Sequence, residues 1–427
     1  MDKEIDILNP ELQISKSFLT RISNSAYICL FDKSDEALVN DYEEILELLD
    51  FKNSVLTGDY LWYNKNTMKP KRFFVGTAFV DFKKISNTRN PTPLFKGVKI
   101  KYPSRLDSAC TDPGKIYEYS PDNIYAAGQI NFCIDICKTI SVKLRNDENI
   151  YISERSPRKS LVLHSVLLMK KALEISNGFD IDIKNDLELR HCGLGSSASI
   201  IQGVGAAINE IFNNPITSMD LIRYLAGNHG EEIDGDDNHL IQVQSVGGSG
   251  VCGHYKGGLI IITGRAVPIV SVNLPSDIKI VFGVPKNYTH PDSNTLIHEE
   301  IKNISKFKKV SKDFSREIAY RLLNIAIPEL IDGNYKPMKD FIFDYRWDMG
   351  SINNCAYAYP EITKIAEKMR PLKNDKDVIF VALSTAGPGF FIATKNIIKA
   401  KRIFSKLNMK TYIANIYNGK YKILKRE

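Results

Sequence analysis

The feature that most constrains this chain is a glycine- and serine-rich segment, residues 191–199, which reads His-Cys-Gly-Leu-Gly-Ser-Ser-Ala-Ser. Alternating apolar residues over 179–184 predict a strand before it, and an Ala/Gly-rich run over 200–212 predicts a helix after it. Glycines let the backbone approach a ligand, and the first N–H groups of a helix have no intrahelical partner. Because the helix dipole adds partial positive charge at the same point, this order of elements predicts a phosphate-binding loop.

The whole loop supplies the predicted phosphate contacts, through its backbone N–H groups and its hydroxyls. The residues are Gly193, Leu194, Gly195, Ser196, Ser197, Ala198 and Ser199. A capped helix after a glycine turn is the plainer alternative. The segment is not a Walker loop, because no Gly-Lys-Ser/Thr follows it.

Length and composition indicate an ordinary globular protein. The chain has 427 residues, enough for two or three domains, with 43% hydrophobic and 25% charged residues. It has no run of eighteen apolar residues and no apolar leader after Met1, so we expect a cytoplasmic protein with no membrane partner. The seven cysteines have no zinc-binding spacing and are expected to be reduced.

The net charge of +7 is concentrated toward the C-terminus. A solvated surface explains it, and an enzyme with a polyanionic small substrate fits equally well. No nucleic-acid partner is expected, since no basic repeat with interleaved aromatic residues is present. Residues 1–95 carry no catalytic pattern; packing, homodimerisation and covering of a substrate site remain open as roles.

Strand and helix patterns alternate along the rest of the chain without strict βαβ order, which predicts an α+β fold. Residues 72–82 read as a strand in the N-terminal region. Near the C-terminus, strands over 378–383 and 390–394 enclose the turn Ser-Thr-Ala-Gly-Pro-Gly at 384–389.

Three blocks of sequence resemble the GHMP superfamily of small-molecule kinases. They are Pro103–Asp107, the loop at 193–199, and the turn at 384–389. The resemblance covers about residues 97–415 and implies a GHMP-kinase-like fold with the ligand between its two halves. Residues 1–95 would then be an N-terminal extension, residues 96–265 the ribosomal-S5-like half with the phosphate loop, and residues 266–427 the ferredoxin-like half.

Two features resemble one branch, that of β-ribofuranosylaminobenzene 5′-phosphate synthase and related C-nucleoside synthases. The glycine-rich segment 245–265 lacks the Asp that many sugar kinases carry there, and the turn at 384–389 is similar to the branch's Ser-Ser-x-Gly-Pro. This resemblance implies ribosyl transfer from phosphoribosyl pyrophosphate to a (hetero)aromatic carboxylate, with release of pyrophosphate and CO2. The alternatives are an ATP-dependent GHMP small-molecule kinase, which the Ser197-Ala198 pair favours, and a non-catalytic nucleotide- or protein-binding module.

The candidate site residues follow from these blocks. The predicted catalytic residues are Ser249, His254 and Lys256. Predicted substrate-binding residues are Ser104, Arg105, Asp107, Arg265, Thr385 and Gly387. Mg²⁺ is the expected cofactor with either donor, but its ligands stay unassigned, because the acids between Glu231 and Asp237 suit Mg²⁺ and also suit a solvated loop. If ATP is the donor, Asp107 and Glu232 are the first candidates for a base.

Overall fold

The computed structural model describes residues 18–23, 26–30, 54–55, 63–64, 72–82, 90–116 and 127–427. The chain divides into two compact units, one comprising residues 1–71 with 77–79 and the other comprising 72–76 with 80–427. In the first unit, strands β1 to β4 form one sheet in sequence order. They span Phe18–Ser23, Ala26–Leu30, Ser54–Val55 and Tyr63–Asn64.

The second unit holds three sheets and all the helices described below. Its strands, β5 to β18 in chain order, are Arg72–Phe74, Gly97–Ala109, Gln129–Leu144, Ile150–Ile152, Phe179–Asn185, Gly230–Ile233, Asp236–Gln242, Leu259–Thr263, Val267–Val272, Lys279–Pro285, Val378–Leu383, Phe390–Thr394, Met409–Asn415 and Lys422–Arg426. Its helices, α1 to α11, are Lys159–Leu173, Ser196–Ile211, Ser218–Gly227, Gly248–His254, Ser293–Lys302, Ile304–Arg321, Ile327–Ile331, Lys336–Trp347, Ser351–Asn354, Ile362–Met369 and Ile397–Lys406. A π-helical turn over Leu322–Ala326 joins α6 to α7.

A seven-stranded sheet forms the first half of this unit. Its main path is β13-β12-β7-β6-β18, and β9 joins β7 to β8. The hairpin of β6 and β7 is its centre, because both strands are long and nearly continuously buried. Helix α2 packs on this hairpin at Gly203, where an added Cβ would lie only 2.4 Å from Ile140 Cδ1. The helix that follows the loop is thus held against the sheet by close packing.

The second half is a four-stranded sheet in the order β15-β16-β14-β17. Its apolar residues share one core with the first sheet. The ring of Phe132 on β7 packs edge-on against Phe380, with ring centroids 5.0 Å apart, and against Phe391 at 5.1 Å. The halves therefore meet through buried aromatic contacts, and the loops at their common edge are fixed relative to one another.

The predicted α+β fold is confirmed, and strands β15 and β16 coincide with the predicted 378–383 and 390–394. The strand predicted over 72–82 is wrong beyond Phe74. The chain turns at Gly76, whose backbone has φ +90°, a conformation that glycine adopts without steric cost. No helix among the described residues is long and apolar enough to cross a membrane.

Candidate active site

The loop at 193–199 connects β9 to α2, so the structure has the predicted order of strand, loop and helix. Gly195 is the N-cap of α2, and both Gly193 (φ +90°) and Gly195 (φ +61°) have left-handed backbones. A Cβ at Gly195 would lie 2.6 Å from Ser249 Oγ and 3.0 Å from Arg105 Nε. One at Gly193 would lie 2.5 Å from the carbonyl oxygen of Ser384. Glycine is required here because three other segments crowd the loop.

The three loop hydroxyls have different environments. Ser199 Oγ donates to the carbonyl of Gly195, 2.8 Å away, and so stabilises the first turn of α2. Ser197 Oγ donates to Glu231 Oε2 at 2.7 Å. Ser196 Oγ is buried and has no hydrogen-bond partner. Of the three, Ser196 is the hydroxyl available to a ligand.

The turn at 384–389 contacts the loop. Ser384 Oγ donates to the carbonyl of Gly193 at 2.7 Å and accepts from the backbone N–H of Asp107 at 3.1 Å. The N–H of Thr385 donates to the carbonyl of Asp107, and Arg105 donates to Thr385 Oγ1 at 2.8 Å. These contacts bring the three predicted blocks together at one place.

The bridging role of Ser384 leads to a first prediction. Ser384→Ala removes both hydrogen bonds, and we expect it to weaken the binding of a polyphosphate, with Mg-ATP as the probe, about tenfold, equivalent to about 1.4 kcal/mol. Ser108→Ala is the matched control, because Ser108 Oγ is equally buried but donates only to Ile130 within the sheet. Calorimetric titration of both variants measures the effect, and an equal loss in the two would contradict a specific role for Ser384.

Arg346 on α8 was not predicted from the sequence, and it fixes the same junction. Its guanidinium is buried and donates to the carbonyls of Ser108, Asp107 and Thr385 at 2.6 to 3.2 Å. The residue lies in an amphipathic helix outside any motif. Only the tertiary structure shows that its side chain links β6 to the turn at 384–389.

Two further buried cations, Lys138 and Arg158, lie near the loop and were also missed. Arg158 donates to Ser197 Oγ at 2.8 Å and to Glu232 Oε2 at 2.5 Å. Lys138 Nζ donates to Ser104 Oγ at 3.2 Å. Burial, and then the positive charge of Arg158, lower the pKa of Lys138 to about 8. Of these three cations, Arg105 lies at the loop beside Gly195, whereas the charge of Arg158 is balanced by Glu232.

β6 also contributes a carboxylate, on Asp107, two residues beyond Arg105. Asp107 is buried; its Oδ2 accepts from Gln129 Nε2 at 3.1 Å, and its Oδ1 has no partner. Burial raises the pKa of Asp107, while the charges of Arg105 and Arg346 act in the opposite direction. A carboxyl group with a raised pKa and a free oxygen, next to an anion site, has the properties of a proton acceptor.

The structure separates the other predicted residues. Ser249 lies at the loop, with its Oγ 3.4 Å from the carbonyl of Gly195. His254 is five residues further along α4, a rise of about 7.5 Å, and its ring contacts Tyr102 and Tyr421. Burial lowers the pKa of His254 to about 4. Lys256 and Arg265 are exposed, so we leave these two and His254 out of the proposed site.

Several acidic residues between Glu231 and Asp237 are paired with neighbouring side chains. Glu231 accepts from Ser197 and lies 3.1 Å from His229 Nε2. Burial alone would raise the pKa of Glu231, but its hydrogen bond with His229 and the nearby charges lower it to about 2. Glu232 pairs with Arg158, and Asp236 with His239. Within the described part of the chain, no group of three His, Cys, Asp or Glu residues is placed to hold a metal.

Comparison with known proteins finds a family match for one segment. Residues 160–247 match the GHMP kinases N terminal domain. A curated relative, homoserine kinase of Petrotoga mobilis, is 25% identical over 194 residues, which are 43% of this chain and 55% of that enzyme. The matched region thus spans about half the length of the curated relative.

Two solved structures share the fold. Galactokinase of Lactococcus lactis, complexed with galactose, has a TM-score of 0.58 at 14% identity, over 77% of this chain and 95% of that one. Mevalonate diphosphate decarboxylase of Staphylococcus aureus has a TM-score of 0.53 at 15% identity, over 78% and 99% of the two chains. At these identities the likeness establishes the fold alone. The chain therefore has a GHMP-kinase-type α+β fold, and its residues 160–247 are similar to the GHMP kinase N-terminal domain.

Proposed function

We propose that this protein is an ATP-dependent small-molecule kinase of GHMP type. The observation that supports it most directly is the carboxylate of Asp107, with a free oxygen, beside a glycine loop at a helix N-terminus. A kinase needs both a cradle for the polyphosphate and a group that accepts the proton of the attacking hydroxyl. The family match over 160–247 agrees with this proposal.

In the proposed reaction, the N–H groups at the start of α2 and the side chains of Ser196 and Arg105 bind the polyphosphate of ATP. They stabilise the negative charge that shifts toward the leaving ADP. The acceptor oxygen forms a bond to the γ-phosphorus, and the bond between that phosphorus and the β,γ-bridging oxygen breaks. The proton of the acceptor hydroxyl passes to Asp107 Oδ1.

Mg²⁺ is part of this proposal. Ser197 Oγ and Glu231 Oε2 are 2.7 Å apart and are oxygen donors of the type that Mg²⁺ prefers. Mg²⁺ commonly takes only one or two protein ligands and completes its shell with water and phosphate, so this pair is sufficient. The cation would neutralise phosphate charge; the contact of Arg158 with the same two residues keeps them in place.

Phosphoribosyl transfer stays the competing prediction. It depended on the absence of an acid from the segment 245–265, which left no base for a hydroxyl acceptor. Asp107 lies two residues beyond Arg105 on β6, and its backbone is joined to the loop through Ser384, so a hydroxyl acceptor bound there would have a carboxylate nearby. This arrangement favours the kinase.

A ligand-binding comparison tests the two donors. Each of ATP and phosphoribosyl pyrophosphate is added with Mg²⁺, and the melting temperature of the protein is measured. A ligand that binds only the native state raises the melting temperature. At a ligand concentration of one hundred times Kd, the free energy of unfolding increases by about 2.7 kcal/mol. We expect a shift with ATP, and release of ADP when an acceptor is added. A shift with phosphoribosyl pyrophosphate alone would overturn the proposal.

A further inference from the structure

Beside the phosphate loop, the carboxylate of Glu231 has partners on both of its oxygens. Oε2 accepts from Ser197 Oγ at 2.7 Å and lies 3.5 Å from Nη2 of Arg158. Oε1 lies 3.1 Å from Nε2 of His229. These partners come from the first turn of α2, from the N-cap of α1 and from the residue that precedes β10. The carboxylate is therefore fixed by three separate segments of the chain.

The imidazole of His229 is the donor in this contact. Burial alone would raise the pKa of Glu231, but the hydrogen bond with His229 and the nearby positive charges lower it to about 2, so Glu231 is ionised at neutral pH. An ionised carboxylate offers acceptors only, and Nε2 of His229 must therefore carry the hydrogen. This hydrogen bond occupies Oε1, while Oε2 faces the loop.

The backbone brings the two side chains together. His229 and Glu231 are two residues apart at the start of β10, so they leave the strand on the same face. Gly230 lies between them, and a Cβ there would come within 2.8 Å of Phe73 Cζ and 2.9 Å of Leu240 Cδ1. Because the opposite face is this closely packed, the strand cannot shift to move the imidazole away from the carboxylate.

The carboxylate and the imidazole differ in their exposure. The side chain of Glu231 is 17% exposed, whereas that of His229 is 5% exposed. A cation from solvent can therefore approach the carboxylate without contacting the imidazole. His229 is placed to act through Glu231 and not directly on a ligand.

We propose that His229 is a positioning residue for the cation of the nucleotide complex. It donates to Oε1 of Glu231 and so keeps Oε2 directed at Ser197, where the Mg²⁺ of Mg-ATP would bind. The inference rests on the proposed kinase function for the identity of the cation and the nucleotide. Loss of a hydrogen bond that orients a metal-binding side chain typically weakens metal affinity about ten- to a hundredfold. His229 should therefore strengthen the binding of Mg-ATP but not that of metal-free ATP.

Three substitutions of His229 test the proposal. His229→Leu removes the donor, and so does His229→Asn, whose shorter amide does not reach Glu231. His229→Gln restores an N–H donor at the position of the imidazole Nε2. Glu231 keeps its contacts with Ser197 and Arg158 in all three variants.

His239→Leu is the matched control. His239 also pairs with a carboxylate, that of Asp236, 2.9 Å away on β11. The substitution removes a comparable pair from the same hairpin, so it reports any general effect of losing such a contact. Calorimetric titration of the full chain with ATP, once with Mg²⁺ and once with EDTA, measures the metal-dependent part of the affinity for each variant.

We expect His229→Leu and His229→Asn to bind Mg-ATP about ten- to a hundredfold more weakly than the wild type, and ATP in EDTA equally well. His229→Gln and His239→Leu should bind Mg-ATP as the wild type does. An equal loss with and without Mg²⁺, the same loss in His239→Leu, or no recovery in His229→Gln would each overturn the inference. So would a wild type whose ATP affinity does not depend on Mg²⁺. A wild type that binds no ATP would reject the kinase proposal itself, and the inference with it.

Discussion

Gly195→Val is expected to abolish ATP binding while the protein remains folded. Two effects combine at this position. The backbone has φ +61°, where a β-branched residue is strained, and the new Cβ would lie 2.6 Å from Ser249 Oγ and 3.0 Å from Arg105 Nε. The side chain would also displace Arg105, which we place at the phosphates. We expect an affinity loss of at least about a hundredfold, equivalent to about 2.8 kcal/mol, in calorimetric titration with Mg-ATP.

The control for this variant is Gly333→Val. Gly333 also has a left-handed backbone, with φ +84°, but nothing lies within 4 Å of an added Cβ. It follows α7 and is far along the chain from the loop. Valine at 333 carries the backbone strain without the crowding, so ATP affinity should stay at the wild-type value. If Gly195→Val retained affinity within a few fold, the loop would not be the phosphate site.

The local order of elements was predictable, because it depends on residues close in sequence. The loop with its flanking strand and helix follows from periodicity and glycine placement, and so do β15 and β16. The last strand, Lys422–Arg426, was not predicted as a strand, because its exposed, basic residues resemble a solvated tail. It is a strand only because β6 offers it a free edge, with Ile423 opposite Ile100. That pairing joins residues more than three hundred positions apart.

The site was predictable only where a motif carried it. Arg105, Asp107, Ser249 and Thr385 do lie at the loop. His254 and Lys256 are close to Ser249 in sequence, but His254 is the last residue of α4 and Lys256 lies beyond it, away from the N-terminal end of the helix. Lys138 lies on a strand, Arg158 just before α1 and Arg346 on a helix, all outside any motif, and a cation in such a position ordinarily indicates surface. Their burial depends on which elements pack together, which single-sequence patterns do not encode.

Asp107→Asn is expected to reduce kcat by about a hundredfold to ten-thousandfold, the usual contribution of a positioned proton acceptor. The backbone contacts of Asp107 with Ser384, Thr385 and Arg346 do not involve its carboxylate, so the junction of the loop and the turn stays intact. ATP affinity should therefore change little, while turnover is lost. Steady-state ADP release with a phosphorylated acceptor, together with calorimetric titration of Mg-ATP, separates the two quantities.

The pH profile gives an independent signature of the same group. A base must be deprotonated to accept a proton, so kcat falls as the pH drops through its pKa. Because burial raises the pKa of Asp107, this decline should begin above the range of an ordinary aspartate, and it should be missing from the residual activity of Asp107→Asn. Asp112→Asn is the control, since Asp112 caps the turn at Gly114 and accepts from Ser311, outside the site. If the two variants lost kcat equally, or if kcat of Asp107→Asn still declined at low pH, Asp107 would not be the proton acceptor. Glu232 would then be the next candidate for the base. A bound nucleotide would have to break the pairing of Glu232 with Arg158.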